Sequence, residues 1–320
     1  MVQITADIKI AKDFLEKGNV VAIPTETVYG LAGNIYNSQT INKIFELKKR
    51  PFYNPLIVHI KSIDYLKNVA VDVPDVALKL AETFWPGPLT LILKKHPSIS
   101  EIITAGKDTV AVRVPKHPLT LSLLNELAFP LAAPSANPFG LISPTTASHV
   151  AGYFKNNLDA ILDGGPCEMG LESTIIGFPD GKITLYRHGS ISIEAIEGVV
   201  GKIEVAVLTN DSAPDAPGMI SKHYAPVTPT YLVENIEESL INFSGKKIGM
   251  LFFKNGIDDS IHSTQIILSA SGNLEEASAK LYASLHILDK ADVDIILVER
   301  FPSEGLGRTI NDRLERAAKR

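Results

Sequence analysis

Val20-Val21-Ala22-Ile23-Pro24-Thr25-Glu26-Thr27-Val28-Tyr29-Gly30-Leu31 runs from four apolar residues straight into hydroxyls and a carboxylate. The apolar run reads as a short buried strand. Pro24 sets a turn at its end, because its ring fixes φ and it lacks an N–H. Thr25, Glu26 and Thr27 then place polar groups at the edge of a core, where such groups are costly unless partnered. Gly30 and Gly33 follow and let backbone come close to a neighbour. Two readings fit the stretch by itself: ordinary turn chemistry at a strand end, or one wall of a ligand site.

From Asp7 to Arg187 short apolar runs alternate with amphipathic stretches, the signature of an α/β domain. Ile8, Ala11, Phe14 and Leu15 predict a helix over 7–17, capped by Gly18. Ile41, Ile44, Phe45 and Leu47 mark a second helix that ends in Lys48-Lys49-Arg50 before Pro51. The helix dipole favours cations at that end, so those charges have a structural reading as well. Leu56–Ile60, Leu89–Leu93 and Val110–Val114 read as strands, as do segments near 130–133, 159–162, 173–178 and 183–187. Further helices are predicted at 74–84, 117–127 and 145–154.

The pattern changes near 205. Asn210 to Gly218 is a linker by composition, yet Met219-Ile220-Ser221-Lys222-His223-Tyr224-Ala225-Pro226 is richer than a spacer needs. Strands near 229–233, 247–253, 264–268 and 293–298, with helices near 273–289 and 309–318, predict a small Rossmann-like α/β unit. The reading divides the chain into a domain at 1–205, a linker at 206–229 and a C-terminal domain at 230–320.

Composition excludes several classes. Hydrophobic residues make up 45% and charged residues 21%, ordinary for a globular protein. The formal charge of -5 gives no global basic field for nucleic acid. The tail cations Arg313, Arg316, Lys319 and Arg320 alternate with Asp312 and Glu315, and read as the solvated face of a last helix. Cys167 is the only cysteine, which excludes an intrachain disulfide and a cysteine-cluster zinc site and suits a reducing cytoplasm. No signal pattern opens the chain and no apolar run reaches membrane-spanning length, so a soluble cytoplasmic protein is expected.

The usual nucleotide and hydrolase fingerprints are missing; a phosphate ligand would need a dispersed site. Candidates for one exist. Lys48 and Arg50 could hold phosphates, the guanidinium as a two-pronged donor, and Asn54 adds an amide just before the next strand. His59 shares a strand face with Ile57; a lone strand histidine is more often a satisfied half-buried group than a ligand. Arg113, between Val112 and Val114, either faces solvent or meets an anion in a cavity. Pro134-Ser135-Ala136-Asn137 permits close approach of backbone N–H groups at a strand end, though a surface turn explains it too. Glu172-Ser173-Thr174 and Arg187 lie at further strand ends, where open α/β sheets bind ligands.

P-T-E-T-V-Y-G-L at 24–31, K-K-R-P-x-x-N-P-L-I-V-H at 48–59 and W-P-G-P-L-T at 85–90 resemble the L-threonylcarbamoyladenylate synthase family. V-A-V-R-V-P at 110–115, P-S-A-N at 134–137 and E-S-T-I at 172–175 extend the resemblance in the family's order. A-P-G-M-x-x-K-H-Y-A-P at 216–226 is similar to the linker of its long, two-domain form. The resemblance implies a YrdC-like twisted open sheet with a concave ligand cavity. It implies a nucleotidyltransferase that makes threonylcarbamoyl-AMP and pyrophosphate from L-threonine, bicarbonate and ATP. The product serves N6-threonylcarbamoyladenosine formation at tRNA position 37, through a downstream transfer machinery, with tRNA itself at most a weak partner.

By the same resemblance, Thr27 contacts threonine, His59 and Arg113 bind its carboxylate, and Ser173 helps hold it. Lys48 and Arg50 are the catalytic cations that grip the triphosphate together with Asn54. Thr109, Ser135 and Ser143 complete the nucleotide pocket, Ala133 offers backbone, and Arg187 lies at the nucleotide. His223 and Tyr224 reach back as a lid that excludes water. Lys49 and Ala32-Gly33-Asn34 depart from the commoner glycine-rich pattern, between residues that are kept. No residue is expected to ligate a metal: Mg2+ arrives with ATP, held by phosphates and water. Two other readings compete. One is a YrdC-like module that binds RNA without catalysis, which the net charge disfavours. The other is a carbamoyl transferase of the hydrogenase-maturation type, which would carry the cysteine clusters this chain lacks.

Overall fold

The computed structural model describes residues 2–206, 216–217, 223–258 and 263–319. Most of the linker stretch from Asn210 to Lys222 therefore lies outside the described residues. The chain opens with β1 (Gln3–Thr5), α1 (Ile8–Glu16), β2 (Val21–Ile23) and β3 (Gly30–Asn34). Then come α2 (Ser38–Lys48), β4 (Ile57–His59), α3 (Asp75–Phe84), β5 (Leu89–Lys94), α4 (Glu101–Thr104) and β6 (Thr109–Arg113). α5 (Pro118–Glu126), β7 (Leu131–Ala132), α6 (Ala147–Phe154), β8 (Ala160–Leu162), β9 (Thr174–Gly177) and β10 (Thr184–Arg187) follow. α7 (Ile193–Val200) and β11 (Glu204–Val205) close the first domain. These strands form one mixed eleven-stranded sheet, in the order β1-β8-β2-β3-β7-β4-β6-β5-β9-β10-β11.

Side-chain caps place the helices. Asp7 accepts from Lys9 N at 2.9 Å to start α1, and Asn37 accepts from the backbone of Gln39 and Thr40 to start α2. α2 ends where Lys49 turns left-handed (φ 51°), and Pro51 prevents its continuation. That ending aims Lys48 and Arg50 inward; both are buried.

β3 escapes sequence reading because two glycines and an asparagine in five residues carry little strand propensity. Its pairing with β2 and β7 decides it instead. A Cβ on Gly33 would lie 2.5 Å from Thr40 Cγ2 and 3.0 Å from Ile44 Cδ1. Gly33 thus lets α2 pack on the sheet, and the neighbour its backbone approaches is a helix.

The second domain holds β12 (Thr230–Val233), α8 (Ile236–Ser239), β13 (Ile248–Phe252) and β14 (Ser263–Ile267). α9 (Leu274–Lys290), β15 (Ile295–Glu299) and α10 (Leu306–Ala318) complete it. Its four strands are all parallel, in the order β12-β15-β13-β14, which fits the expected Rossmann-like unit. The two domains share a core: Val28, Ile142 and Leu171 of the first pack with Leu281, Tyr282, Leu285 and Leu314 of the second. Gly170 (φ 69°) permits this approach, since a Cβ there would sit 2.5 Å from Ala279 O. The reading of the last helix as solvated is corrected here, because Arg313 is only 1% exposed. The apolar stripe Ile310, Leu314 and Ala317 faces the core, and Arg313 lies on its flank.

Candidate functional site

Parallel register sets His59, at the end of β4, beside Arg113, at the end of β6. Pro55, Ile57 and His59 alternate onto one sheet face, as do Thr109, Ala111 and Arg113. Ser173 precedes β9 and Arg187 ends β10, and their antiparallel pairing brings them together. The loop between β2 and β3 carries Thr25, Thr27 and Val28 to the same place. Together with Arg50, Ala133, Ser135 and Glu172 they line one cavity, which encloses about 50 Å³ of water-accessible space. The chain between the two domains contributes Pro217, His223 and Tyr224 to its wall.

At one end Arg113 is the centre. Its Nη2 lies 2.7 Å from Glu26 Oε1 in a buried ion pair, Nη1 donates to Thr27 Oγ1 at 3.0 Å, and Nε donates to Gly87 O at 3.2 Å. Glu26 Oε2 accepts from Lys116 N at 2.9 Å. The solvent-facing reading of Arg113 is thereby excluded, and the carboxylate of the quoted stretch has a partner. Thr27 Oγ1 also lies 2.7 Å from Thr25 Oγ1. His59 lies beside Arg113. Burial above all, and then Arg113, lower its pKa to about 3, so the ring is neutral at neutral pH. Its Nδ1 lies 3.3 Å from Ile57 O, which assigns Nδ1 the proton and leaves Nε2 a lone pair. Such a ring brings no charge to a carboxylate.

The other end is cationic. Arg50 donates from Nη2 to Asn54 Oδ1 at 2.6 Å and to Pro55 O at 2.8 Å. Burial draws it down to about 9, with Tyr224 raising and Arg187 lowering it, so it keeps its proton at pH 7. Arg187 grips Ser173 O through Nε (3.1 Å) and Nη2 (2.9 Å), and Nη1 donates to Pro217 O at 3.0 Å. Burial, then Arg50, Lys48, Arg313 and Arg187, hold the His223 ring well below the ordinary histidine range. Tyr224 turns left-handed (φ 63°), and burial chiefly raises its hydroxyl. Among the described residues neither His223 Nδ1 nor Tyr224 Oη has a hydrogen-bond partner.

Of the expected site residues, Thr27, Arg50, His59, Arg113, Ala133, Ser135, Ser173, Arg187, His223 and Tyr224 line the cavity. Four do not. Lys48 donates to Ser135 O at 2.5 Å and Asn137 O at 2.6 Å, behind the loop that forms the wall. Asn54 orients Arg50. Ser143 donates to Glu172 Oε1 at 2.7 Å. Thr109 begins β6, beyond Ala111, and faces a separate groove with Phe178 and Tyr186. Ala216 packs between, on Ile57, Ala111 and Ile175.

Sequence reasoning missed two partners. Glu172 accepts from Arg313 Nε (2.8 Å) and Tyr282 Oη (2.9 Å), both from the second domain. The buried stripe of α10 is the signal that could have placed Arg313 inward. Tyr29, left unassigned by sequence, donates to Gly165 O at 2.7 Å and so fixes the 163–165 loop.

Residues 13–189 match the family described as Telomere recombination, and residues 191–319 match the Threonylcarbamoyl-AMP synthase C-terminal domain. The chain belongs to the threonylcarbamoyl-AMP synthase family. The family's protein from Pyrococcus abyssi is 40% identical over 97% of this chain and 94% of its own length. That from Bacillus subtilis is 41% identical over 96% and 92%. The crystal structure of P. abyssi Sua5 complexed with L-threonine superposes with a TM-score of 0.90, at 37% identity, covering 99% of this chain and 97% of that one. E. coli YciO shares the fold of the first domain, with a TM-score of 0.53 at 22% identity over 59% of this chain. No helix among the described residues is long and apolar enough to cross a membrane.

Proposed function

We propose that this chain joins L-threonine, bicarbonate and ATP into threonylcarbamoyl-AMP and pyrophosphate. One observation carries the reading: a single cavity brings the polar groups Arg113, Thr27 and Ser173 together with two further buried arginines, Arg50 and Arg187. Threonine's carboxylate meets Arg113, and the Nε2 lone pair of His59 accepts from its ammonium or hydroxyl group. The triphosphate lies along Arg50 and Arg187. Lys48 acts from behind, holding the carbonyls of Ser135 and Asn137. Burial, then Arg50, hold its ammonium well below the ordinary lysine range.

The chemistry follows from alignment. Threonine's amine adds to bicarbonate-derived carbon dioxide to give a carbamate, whose oxygen attacks the α-phosphorus as pyrophosphate leaves. No covalent nucleophile is required. Cys167 is no candidate for one, since burial pushes its thiol up to about 12. Both nearby carboxylates, Glu26 and Glu172, are held by arginines, and no cluster of three metal-ligating groups occurs among the described residues. That donor set fits Mg2+ carried by the phosphates of ATP, where it would spread their charge.

Nucleotide-sized ligands need cavities of roughly 300–1,000 Å³. On this reading the wall of Pro217, His223 and Tyr224 moves outward to admit ATP, the lid role expected of it. The product passes to a transfer machinery that modifies tRNA, in a reducing cytoplasm. Binding RNA without catalysis is disfavoured, since Arg50, Arg113 and Arg187 are buried and cannot reach a duplex. The test is pyrophosphate release from ATP, Mg2+ and bicarbonate with and without L-threonine. Release should depend on threonine; indifference to it sinks the reading.

A further inference from the structure

Arg313 is the bulkiest side chain fully buried among the described residues. It belongs to α10, in the second domain, yet its contacts lie on the cavity wall of the first. Nε donates to Glu172 at 2.8 Å, and Nη2 donates to His188 O, beside Arg187, at 2.6 Å. The guanidinium carbon stands 4.7 Å over the ring of Tyr224. Asp312 pairs with Nη1. One guanidinium therefore ties a wall carboxylate, a wall aromatic ring and the backbone next to a wall arginine.

Electrostatics give the arrangement a purpose. Glu172 is a carboxylate that lines the same cavity as Arg50 and Arg187, the arginines along which phosphates would lie. Without Arg313 its charge would face the triphosphate and attract Arg187, the other guanidinium that acts on it. With Arg313 in place, Glu172 is neutralised from the far side, and Arg187 stays on Ser173 O and Pro217 O.

We propose that the C-terminal domain takes part in the reaction through Arg313, a positioning residue that keeps Glu172 off Arg187. The proposal rests on Arg50 and Arg187 being the phosphate side of the site. A mere fastener between domains would act on both substrates alike; a device acting through Glu172 acts on ATP.

The full-length wild type, Arg313→Met, Glu172→Gln and the double variant are titrated separately with L-threonine and with a non-hydrolysable ATP analogue plus Mg2+. Threonine-dependent pyrophosphate release by the wild type judges the underlying reading first, independently of the variants. For Arg313→Met the analogue should bind at least about tenfold more weakly, with threonine within about threefold of wild type, as expected when a buried charge loses its partner. Adding Glu172→Gln should bring the analogue back to within about threefold of wild type, because no stranded carboxylate remains. Parallel loss of both ligands, or no recovery in the double variant, overturns the proposal. If Arg313→Met does not fold, Tyr282→Phe carries the same comparison, since it removes one donor from Glu172 and leaves the ion pair. A selective weakening of the analogue supports the proposal; equal effects on both ligands, or none, overturn it.

Discussion

At Arg113 two demands meet on one guanidinium. It is the charge that the substrate carboxylate would seek, and it already neutralises Glu26 at 2.7 Å inside the protein. Five N–H groups are available and the three contacts seen use at most three, so both demands can be met. Removing it would strand Glu26 and cost about 3–5 kcal/mol of stability, which could pass for lost function. Arg113→Ala should lose threonine binding, keep ATP binding and melt early. Arg113→Ala with Glu26→Gln should recover the melting temperature and still fail to bind threonine. Recovery of threonine binding in that double variant would reduce Arg113 to a counter-ion. The sequence showed an arginine in an apolar strand and a carboxylate after Pro24, each with a structural reading as well as a site reading. Their pairing was not legible, because only the register of β4 and β6 and the fold of the β2–β3 loop bring them together.

Among the elements, long periodic helices and apolar strands were readable, since each carries its own signal. β3 was not, because its glycines serve close packing, Gly33 against α2 and Gly30 against Ala133. The same limit hides what α9 does. Its residues Ser278, Tyr282 and His286 recur every fourth position along one stripe and meet Met169 O, Glu172 and Ser143 O. At the end of that stripe His286 stacks on His149 of α6, with ring centroids 3.9 Å apart. Burial chiefly lowers His149 to about 3, with His286 and Lys290 adding to it. Burial also takes His286 to about 4, the Ser143 carbonyl opposing and Lys290 assisting. Thr145 N donates to His149 Nδ1 at 3.3 Å, the Tyr153 ring meets His286, and Asp289 acts on Tyr153. Both folded values lie below the unfolded value of about 6.5, so the unfolded chain takes up protons first. Stability from the pair is full above pH about 6.5 and falls as the pH drops towards about 3. Calorimetry should show His149→Gln losing less melting temperature than wild type, by a few degrees, between pH 7 and about 5. Identical acid slopes would remove the pair from the account.

The whole molecule is where sequence reading was thinnest. Two α/β units followed from alternation and from the break near 205, but nothing in either pattern says that the second is part of the first one's cavity. The docking depends on a shared apolar core and on polar groups such as Thr309, which donates to Gly189 O at 2.9 Å, and Arg313. A chain ending at residue 205 would lose Pro217, His223 and Tyr224 from the cavity wall and leave Val28, Ile142 and Leu171 without their partners. It would also leave Glu172 facing the cations alone. Water would then reach a reactive mixed anhydride, which a closed site protects. Threonine-dependent pyrophosphate release by residues 1–205 should fall at least about tenfold, the effect expected when a lid and its supports are lost together. Threonine binding should suffer less, because Arg113, Thr27, His59 and Ser173 all remain. Full activity without residues 206–320 would show that neither linker nor second domain shelters the reaction, and would confine the site to the end of the sheet where Arg113 lies.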